Sequence, residues 1–399
     1  MKNDVLLAMN KQQVVFLVLL DMSAAFDLIR HDILLNTLEA NFGITDDVLI
    51  WVRSYLNGRR QIVEVDGTVS KEFNVNWGVP QGSCLGPLLF TLYASRLFNE
   101  IEQKFPEVMC HTYADDTQLY LSFSPTEADE TRSLSTLEQC IVHLSKWLLS
   151  NNLILNDKKT EFLICGTKQQ VSKLNTTNIK VVNANISPVD SARNLGIRFD
   201  SHLSFDKHIS DVCRSAFYHL FNIRHIRKYL SRESTEKIIH AFVTSRLDYC
   251  NSLFLGLPDN QLCKLQRVQN ACARLVCNSP RFSHCSPLLL ELHWLPVKHR
   301  ILFKTMLIVY KALHGKAPAY IKDLLKLKSS VQSSYSLRSS KDNTLLKYPS
   351  GKSKSTLGDR AFTYAAPKSW NTLPLFIRES PTVNMFKTQL KTYLLSNAL

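Results

Sequence analysis

Met109-Cys110-His111-Thr112-Tyr113-Ala114-Asp115-Asp116-Thr117-Gln118-Leu119-Tyr120-Leu121-Ser122-Phe123 is the stretch from which the fold is read. Apolar and β-favouring residues run up to two adjacent carboxylates and away from them again. That is the pattern of a β-hairpin turning at Asp115-Asp116. The two carboxylates repel each other, and no Lys or Arg lies within ten positions on either side. Such a turn is stable in open solvent as an Asx turn, or where a divalent cation neutralises it. The tetrapeptide Tyr113-Ala114-Asp115-Asp116 does not choose between these alone, so the flanking chain has to decide.

On the N-terminal side, Val14–Leu20 is an unbroken aliphatic and β-branched run, which predicts a strand buried on both faces. It stops at Asp21. A carboxylate at the end of a buried strand is costly unless partnered, so Asp21 either faces a site or caps the next turn. Helices are predicted over 33–41 and 46–56, then a hairpin of 61–65 with 73–75 around Asp66-Gly67. The run Gly78-Val79-Pro80-Gln81-Gly82-Ser83-Cys84-Leu85-Gly86-Pro87 has three glycines and two prolines. It predicts a tight loop where backbone can approach a ligand, or a plain connector, ahead of a helix over 88–103.

Beyond the hairpin, a long helix is predicted from a cap at Ser124–Thr126 to Ser150. Short strands over 153–156 and 161–165 bracket Asp157-Lys158-Lys159-Thr160, and a last sheet element lies over 194–200. After Phe205 apolar residues recur at helical spacing with Lys and Arg between them, over 209–230, 236–247, 261–276 and 296–313. Residues 326–357 are rich in Ser and Lys and read as a linker. Order returns over 361–399, with Trp370, Leu373, Phe376, Phe386 and Leu390 as expected buried anchors.

Charge is divided unevenly. Residues 1–150 hold 11 Lys and Arg against 19 Asp and Glu, a net of −8, and the remainder of the 399 residues carries +22. An acidic half followed by a basic one suits metal binding in the first and phosphate binding in the second; the surplus of Lys and Arg also serves solubility. The seven apolar residues of Val14–Leu20 are far too few to span a bilayer. Ten cysteines with no CxxC pair read as reduced core thiols of an intracellular protein. Cys272, Cys277, His284 and Cys285 do not match the spacing of a common zinc finger.

Asp21-Met22-Ser23-Ala24-Ala25-Phe26-Asp27, Gly78-Val79-Pro80-Gln81-Gly82-Ser83 and Tyr113-Ala114-Asp115-Asp116 occur in this order within about a hundred residues. Together they resemble the palm of a reverse transcriptase, an RNA-directed DNA polymerase of non-LTR, LINE-like or jockey-like retrotransposons. The resemblance continues through Leu195-Gly196, His293-Trp294-Leu295-Pro296-Val297, Tyr310-Lys311-Ala312-Leu313-His314-Gly315 and Trp370-Asn371-Thr372-Leu373-Pro374. It implies an α+β fold: a right-hand polymerase palm of antiparallel sheet and helices over 1–200, followed by a helical, basic, thumb-like region over 201–325. The linker over 326–357 and a C-terminal helical element over 358–399 complete the expected organisation.

The resemblance also implies a site. Asp21 and Asp115, with Asp116 beside them, would hold two Mg²⁺ ions. Lys159 would stand near the pyrophosphate as a proton donor. Phe26 would occupy the sugar-gate position, packing where a 2′-hydroxyl would go. Gln81 and Gly82 would touch the incoming nucleotide and template, with Tyr113 among the substrate-binding residues. The implied partners are an RNA template, a DNA primer and dNTPs, with no membrane. The family carries a fingers region ahead of the palm, and only 20 residues precede Asp21 here. The expectation is therefore an N-terminally truncated fragment without an upstream endonuclease. An inactive remnant that only binds nucleic acid is the alternative.

Overall fold

Seven consecutive apolar residues, Val14–Leu20, form the strand β1, and every one of them is buried. In the computed structural model, which describes residues 1–328, 343–349 and 357–397, the chain divides into two units. One comprises residues 12–196, the other residues 1–11 with 197–399. In chain order, the main helices and strands are α1 (Lys2–Asn10), β1, β2 (Met22–Ser23), α2 (His31–Phe42), α3 (Asp46–Leu56), α4 (Gly86–Lys104), β3 (Met109–Tyr113), β4 (Asp116–Phe123), α5 (Glu127–Ser150), β5 (Ile154–Leu155), β6 (Glu161–Cys165), α6 (Asp206–Ile226), α7 (Asp259–Val276), α8 (Val297–Leu313) and α9 (Val383–Ser396).

The unit of residues 12–196 is built on an antiparallel sheet of order β6-β1-β4-β3, with β1 interior. This is the mixed α+β architecture with antiparallel sheet expected from the sequence. Val14, Phe16, Val18 and Leu20 share a core with Leu34 and Leu38 of α2, Phe90 and Leu97 of α4, and Leu137, Ile141 and Leu144 of α5. Each such side chain contributes roughly 1.5–3 kcal/mol by leaving water. The opposite set, Val15, Leu17 and Leu19, is buried too. Helix α5 starts where expected: the Thr126 hydroxyl accepts from the Asp129 amide at 3.3 Å. The hairpin expected around Asp66-Gly67 forms, as two short pairings, 64–65 with 68–69 and 60–61 with 73–74. All eight of these residues are exposed, so no core fixes a longer register.

In the other unit, the helix expected over 236–247 is interrupted. An α-helix over Arg232–Ile239 passes through a π-turn at His240–Thr244 into Ser245–Asp248. A core joins α8 and α9 through Met306, Tyr310, Trp370, Phe386 and Leu390. Residues 358–397 thus pack with those after 295 rather than standing apart. Phe376 is 60% exposed, and its neighbour Ile377 takes the buried position assigned to it. Most of the linker expected over 326–357 lies outside the described residues. Within the part described, Leu346 is buried and bridges Leu327. The helix α1 belongs to this unit and buries Val5, Leu6, Ala8 and Met9. Among the described residues no helix is long and apolar enough to cross a membrane.

Candidate active site

The register between β1 and β4 ends at Leu20 opposite Thr117. One step further along the same register sets Asp21 beside Asp116. Across β3 and β4, Tyr113 pairs with Asp116, leaving Ala114-Asp115 as a two-residue connection. Such hairpins want positive φ, and Ala114 adopts φ 53°. A residue with a Cβ gives up roughly 1–2 kcal/mol in that conformation, so Asp115 is held at the tip at some energetic cost.

A second small pairing delivers the basic group. Met22 and Ser23 of β2 pair with Leu155 and Ile154 of β5. The chain leaving β5 then passes directly beneath Asp21. The Asn156 amide donates to the Asp21 carbonyl at 2.9 Å, and its side-chain Nδ2 donates to Asp21 Oδ2 at 3.4 Å. Lys159 Nζ stands 3.2 Å from the same oxygen. The Lys159 side chain is 68% exposed, so this ion pair is worth under about 1 kcal/mol.

Burial, and then the charges of Asp115 and Asp21, push the Asp116 carboxyl above its usual range; Lys159 opposes them weakly. A raised folded-state pKa means that ionisation favours the unfolded chain, so stability is lost as pH rises through that pKa. Asp116→Asn is therefore expected to melt higher than the native protein at pH 7. The difference should vanish below the ordinary Asp pKa of about 3.9. Thermal melts across pH 3–8 check this, and a lower melting temperature for the variant at pH 7 would contradict it.

The Gly/Pro loop is bolted to the segment after Asp21. The Gly78 amide donates to the Ile29 carbonyl at 2.7 Å, and the Val79 amide to that of Phe26 at 2.9 Å. His31 Nε2 donates to the Gly78 carbonyl at 2.8 Å. Gly78 adopts φ 82°, and a Cβ there would lie 2.9 Å from the backbone of Asp27. Gly78→Ala should cost about 2 kcal/mol by forcing these segments apart, read as a fall in the urea midpoint. A neutral result would mean that the contact yields. Further on, the Ser83 hydroxyl donates to the Pro80 carbonyl at 2.7 Å and accepts from the Gly86 amide at 3.0 Å, starting α4. Gln81 Nε2 donates to both oxygens of Asp27, at 3.1 and 3.0 Å.

These elements enclose a cleft of about 520 Å³ lined by Asp21, Phe26, Gln81, Gly82, Asp115 and Lys159 among others. The Phe26 ring is fixed against Phe90 at 5.0 Å between centroids. Asp116 and Tyr113 do not line the cleft: Asp116 is half-buried at the start of β4, and Tyr113 is 67% exposed at the end of β3. Sequence reasoning missed Asn156 and the contact between Gln81 and Asp27. Neither leaves a local signal, because one depends on a two-residue strand pairing and the other on loop docking.

Among the described residues, no three His, Cys, Asp or Glu side chains stand close enough to hold one metal ion. The donor chemistry nonetheless fits a hard divalent cation. The cleft offers carboxylate oxygens and no thiol or imidazole, and Lys159 supplies the positive charge at Asp21.

The family model for reverse transcriptase (RNA-dependent DNA polymerase) matches residues 3–199. These residues are a reverse transcriptase domain. The resemblance to non-LTR retrotransposon polymerases is found again in curated relatives. The probable RNA-directed DNA polymerase from transposon X-element of Drosophila melanogaster is 27% identical over 229 residues, 56% of this chain and 24% of that protein. The corresponding protein from transposon BS is 31% identical over 222 residues, 55% and 23% of the two chains. The RNA-directed DNA polymerase from mobile element jockey is 28% identical over 216 residues, 53% and 22%. The matched stretch is thus about a quarter of each relative's length. A solved apo telomerase from Candida Tropicalis aligns over 75% of this chain and 49% of its own, at 14% identity and a TM-score of 0.41, a likeness too distant to argue from.

Proposed function

We propose that this chain carries the catalytic centre of an RNA-directed DNA polymerase, adding deoxynucleotides to a primer 3′-hydroxyl on an RNA template. The observation that supports it best is the convergence of Asp21 and Asp115 on one cleft, with the Asp116 carboxyl pushed up by burial and then by both. In this reading Asp21 and Asp115 hold two Mg²⁺ ions and Asp116 adds negative charge beside them. When bound, such a pair of ions lowers the pKa of the attacking hydroxyl and stabilises the leaving pyrophosphate. The chain's own residues do the positioning. Phe26, locked by Phe90, closes the space a 2′-hydroxyl would need and so selects deoxynucleotides. Gln81 and Gly82 meet the nucleotide, with the exposed Tyr113 as a further substrate-binding residue outside the cleft lining. Lys159, which lines the same cleft beside Asp21, would stand near the phosphates as a proton donor.

The basic residues after position 150, with a net charge of +22, bind the primer–template backbone in this reading. The action is intracellular, where RNA and dNTPs are found. Affinity for an RNA–DNA hybrid is expected to fall steeply with salt, about 10³-fold or more between 50 and 200 mM; a flat response would count against a backbone-gripping role.

The deciding experiment is extension of a DNA primer on an RNA template with Mg²⁺, and with EDTA as control. Metal-dependent incorporation of dNTPs is the expected result. Tight hybrid binding without any extension would overturn the catalytic reading and favour a nucleic-acid-binding remnant.

A further inference from the structure

Helix α6 turns Ile209, Ala216, Leu220 and Ile223 inward, and all four are buried. Its opposite pole carries Arg214, Tyr218, Phe221 and His225, spaced four, three and four apart. A helix on a protein surface normally places charged and small polar residues there. Here Tyr218 is 64% and Phe221 61% exposed. Just past the helix, Tyr229 is 76% exposed with Lys228 Nζ 4.8 Å from its ring centroid. Large rings on the solvent pole lose hydration favourably only when something covers them.

The surrounding charge says what that is. From Lys207 to Tyr229 the single acidic residue is Asp211, already engaged by Arg198 at 3.3 Å and Arg214 at 3.7 Å. Lys207, Arg214, Arg224 and Lys228 lie on the same stretch of chain. One ring is also pre-set. His225 Nδ1 donates to the Phe221 carbonyl at 2.9 Å, and its imidazole meets the Phe221 ring edge-on, 4.4 Å between centroids. Exposed rings, one of them fixed, interleaved with cations are what unpaired bases on a phosphate backbone require: each base stacks, and each phosphate meets a positive charge. A duplex keeps its base faces inside and gains nothing from the rings.

We propose that the stripe Arg214–Tyr218–Phe221–His225 is a stacking platform for single-stranded nucleic acid. It rests on the reading of the chain as a polymerase acting on RNA, and adds unpaired strand as a ligand separate from the duplex. The test is a Phe221→Trp variant, with the native protein's own tryptophan signal subtracted. Oligo(A) RNA or oligo(dA) should quench the new indole, whereas an RNA–DNA hybrid and heparin should leave it bright. Comparing the two single strands tells which polymer the platform prefers. A Tyr218→Ala/Phe221→Ala double variant should bind single strands about 10- to 100-fold more weakly, with an unchanged salt dependence because no charge is lost.

Absence of quenching, or an equal loss of heparin and single-strand binding in the double variant, would overturn the proposal. So would a native dimer that the double variant converts to monomer in sedimentation, since the rings would then be covering a second copy. None of these measurements needs nucleotide incorporation. A protein that failed to extend a primer would still answer the stacking question, and Asp115→Asn should retain the quenching.

Discussion

Asp115→Asn should lower Mg²⁺-dependent primer extension by about three orders of magnitude, the scale expected when a two-metal site loses a ligand. The change is nearly isosteric and sits at a hairpin tip that lines the cleft, so the fold should survive it. It also removes one of the two charges that push Asp116 up. The Asp116 carboxyl should therefore move back toward its ordinary pKa, and the variant should melt no lower than the native protein at pH 7. Loss of rate together with an unchanged or higher melting temperature would separate chemistry from folding. Retention of most of the extension activity would show that these carboxylates are not the metal site.

Phe16→Ala is the largest expected effect on stability. Phe16 is fully buried at the centre of the sheet. Its ring lies 4.4 Å from that of Phe123 on β4 and 5.4 Å from that of Phe162 on β6. Removing it strips three strands of a shared contact and leaves a cavity that a sheet hydrogen-bonded on both sides of β1 cannot easily close. A loss of about 3–5 kcal/mol in urea unfolding is expected. A loss under about 1 kcal/mol would mean that the helices on this face move in and fill the space.

The parts of the structure legible in the sequence are those where one residue type has one physical use. Seven apolar residues in a row can only be buried, and the Asp21 that ends them had two readings, a site residue or a cap for the next turn. The Gly/Pro loop and the Asp115-Asp116 turn were legible for the same cause, since backbone conformation and charge repulsion limit what such segments do. The site as a whole became readable only through the joint resemblance, because Asp21, Gln81 and Lys159 meet through tertiary pairing. The two-residue β2–β5 contact that sets Lys159 beneath Asp21 has no periodicity to detect. Phe376 and Ile377 were exchanged because two neighbouring apolar residues in a four-residue helix give a hydrophobic pattern no length over which to fix its phase. The π-turn at His240–Thr244 shifts the helical repeat by a residue, which a fixed spacing of 3.6 cannot anticipate.

The interior position of β1 also sets a timetable for synthesis. Leu17 pairs with Tyr120 on one side and with Leu163 on the other, so this strand leaves the ribosome long before either neighbour exists. At about 5–20 residues per second, a seven-residue apolar segment waits on the order of ten seconds for its first partner and somewhat longer for its second. During that interval it is the part of the nascent chain most open to pairing with other chains, and to capture by a chaperone. The same burial that fixes Asp21 at the cleft thus makes the yield of folded protein depend on translation speed. A slow stretch of codons some way beyond Cys165, read once β6 has cleared the ribosome, would allow the sheet to close before the basic helices follow.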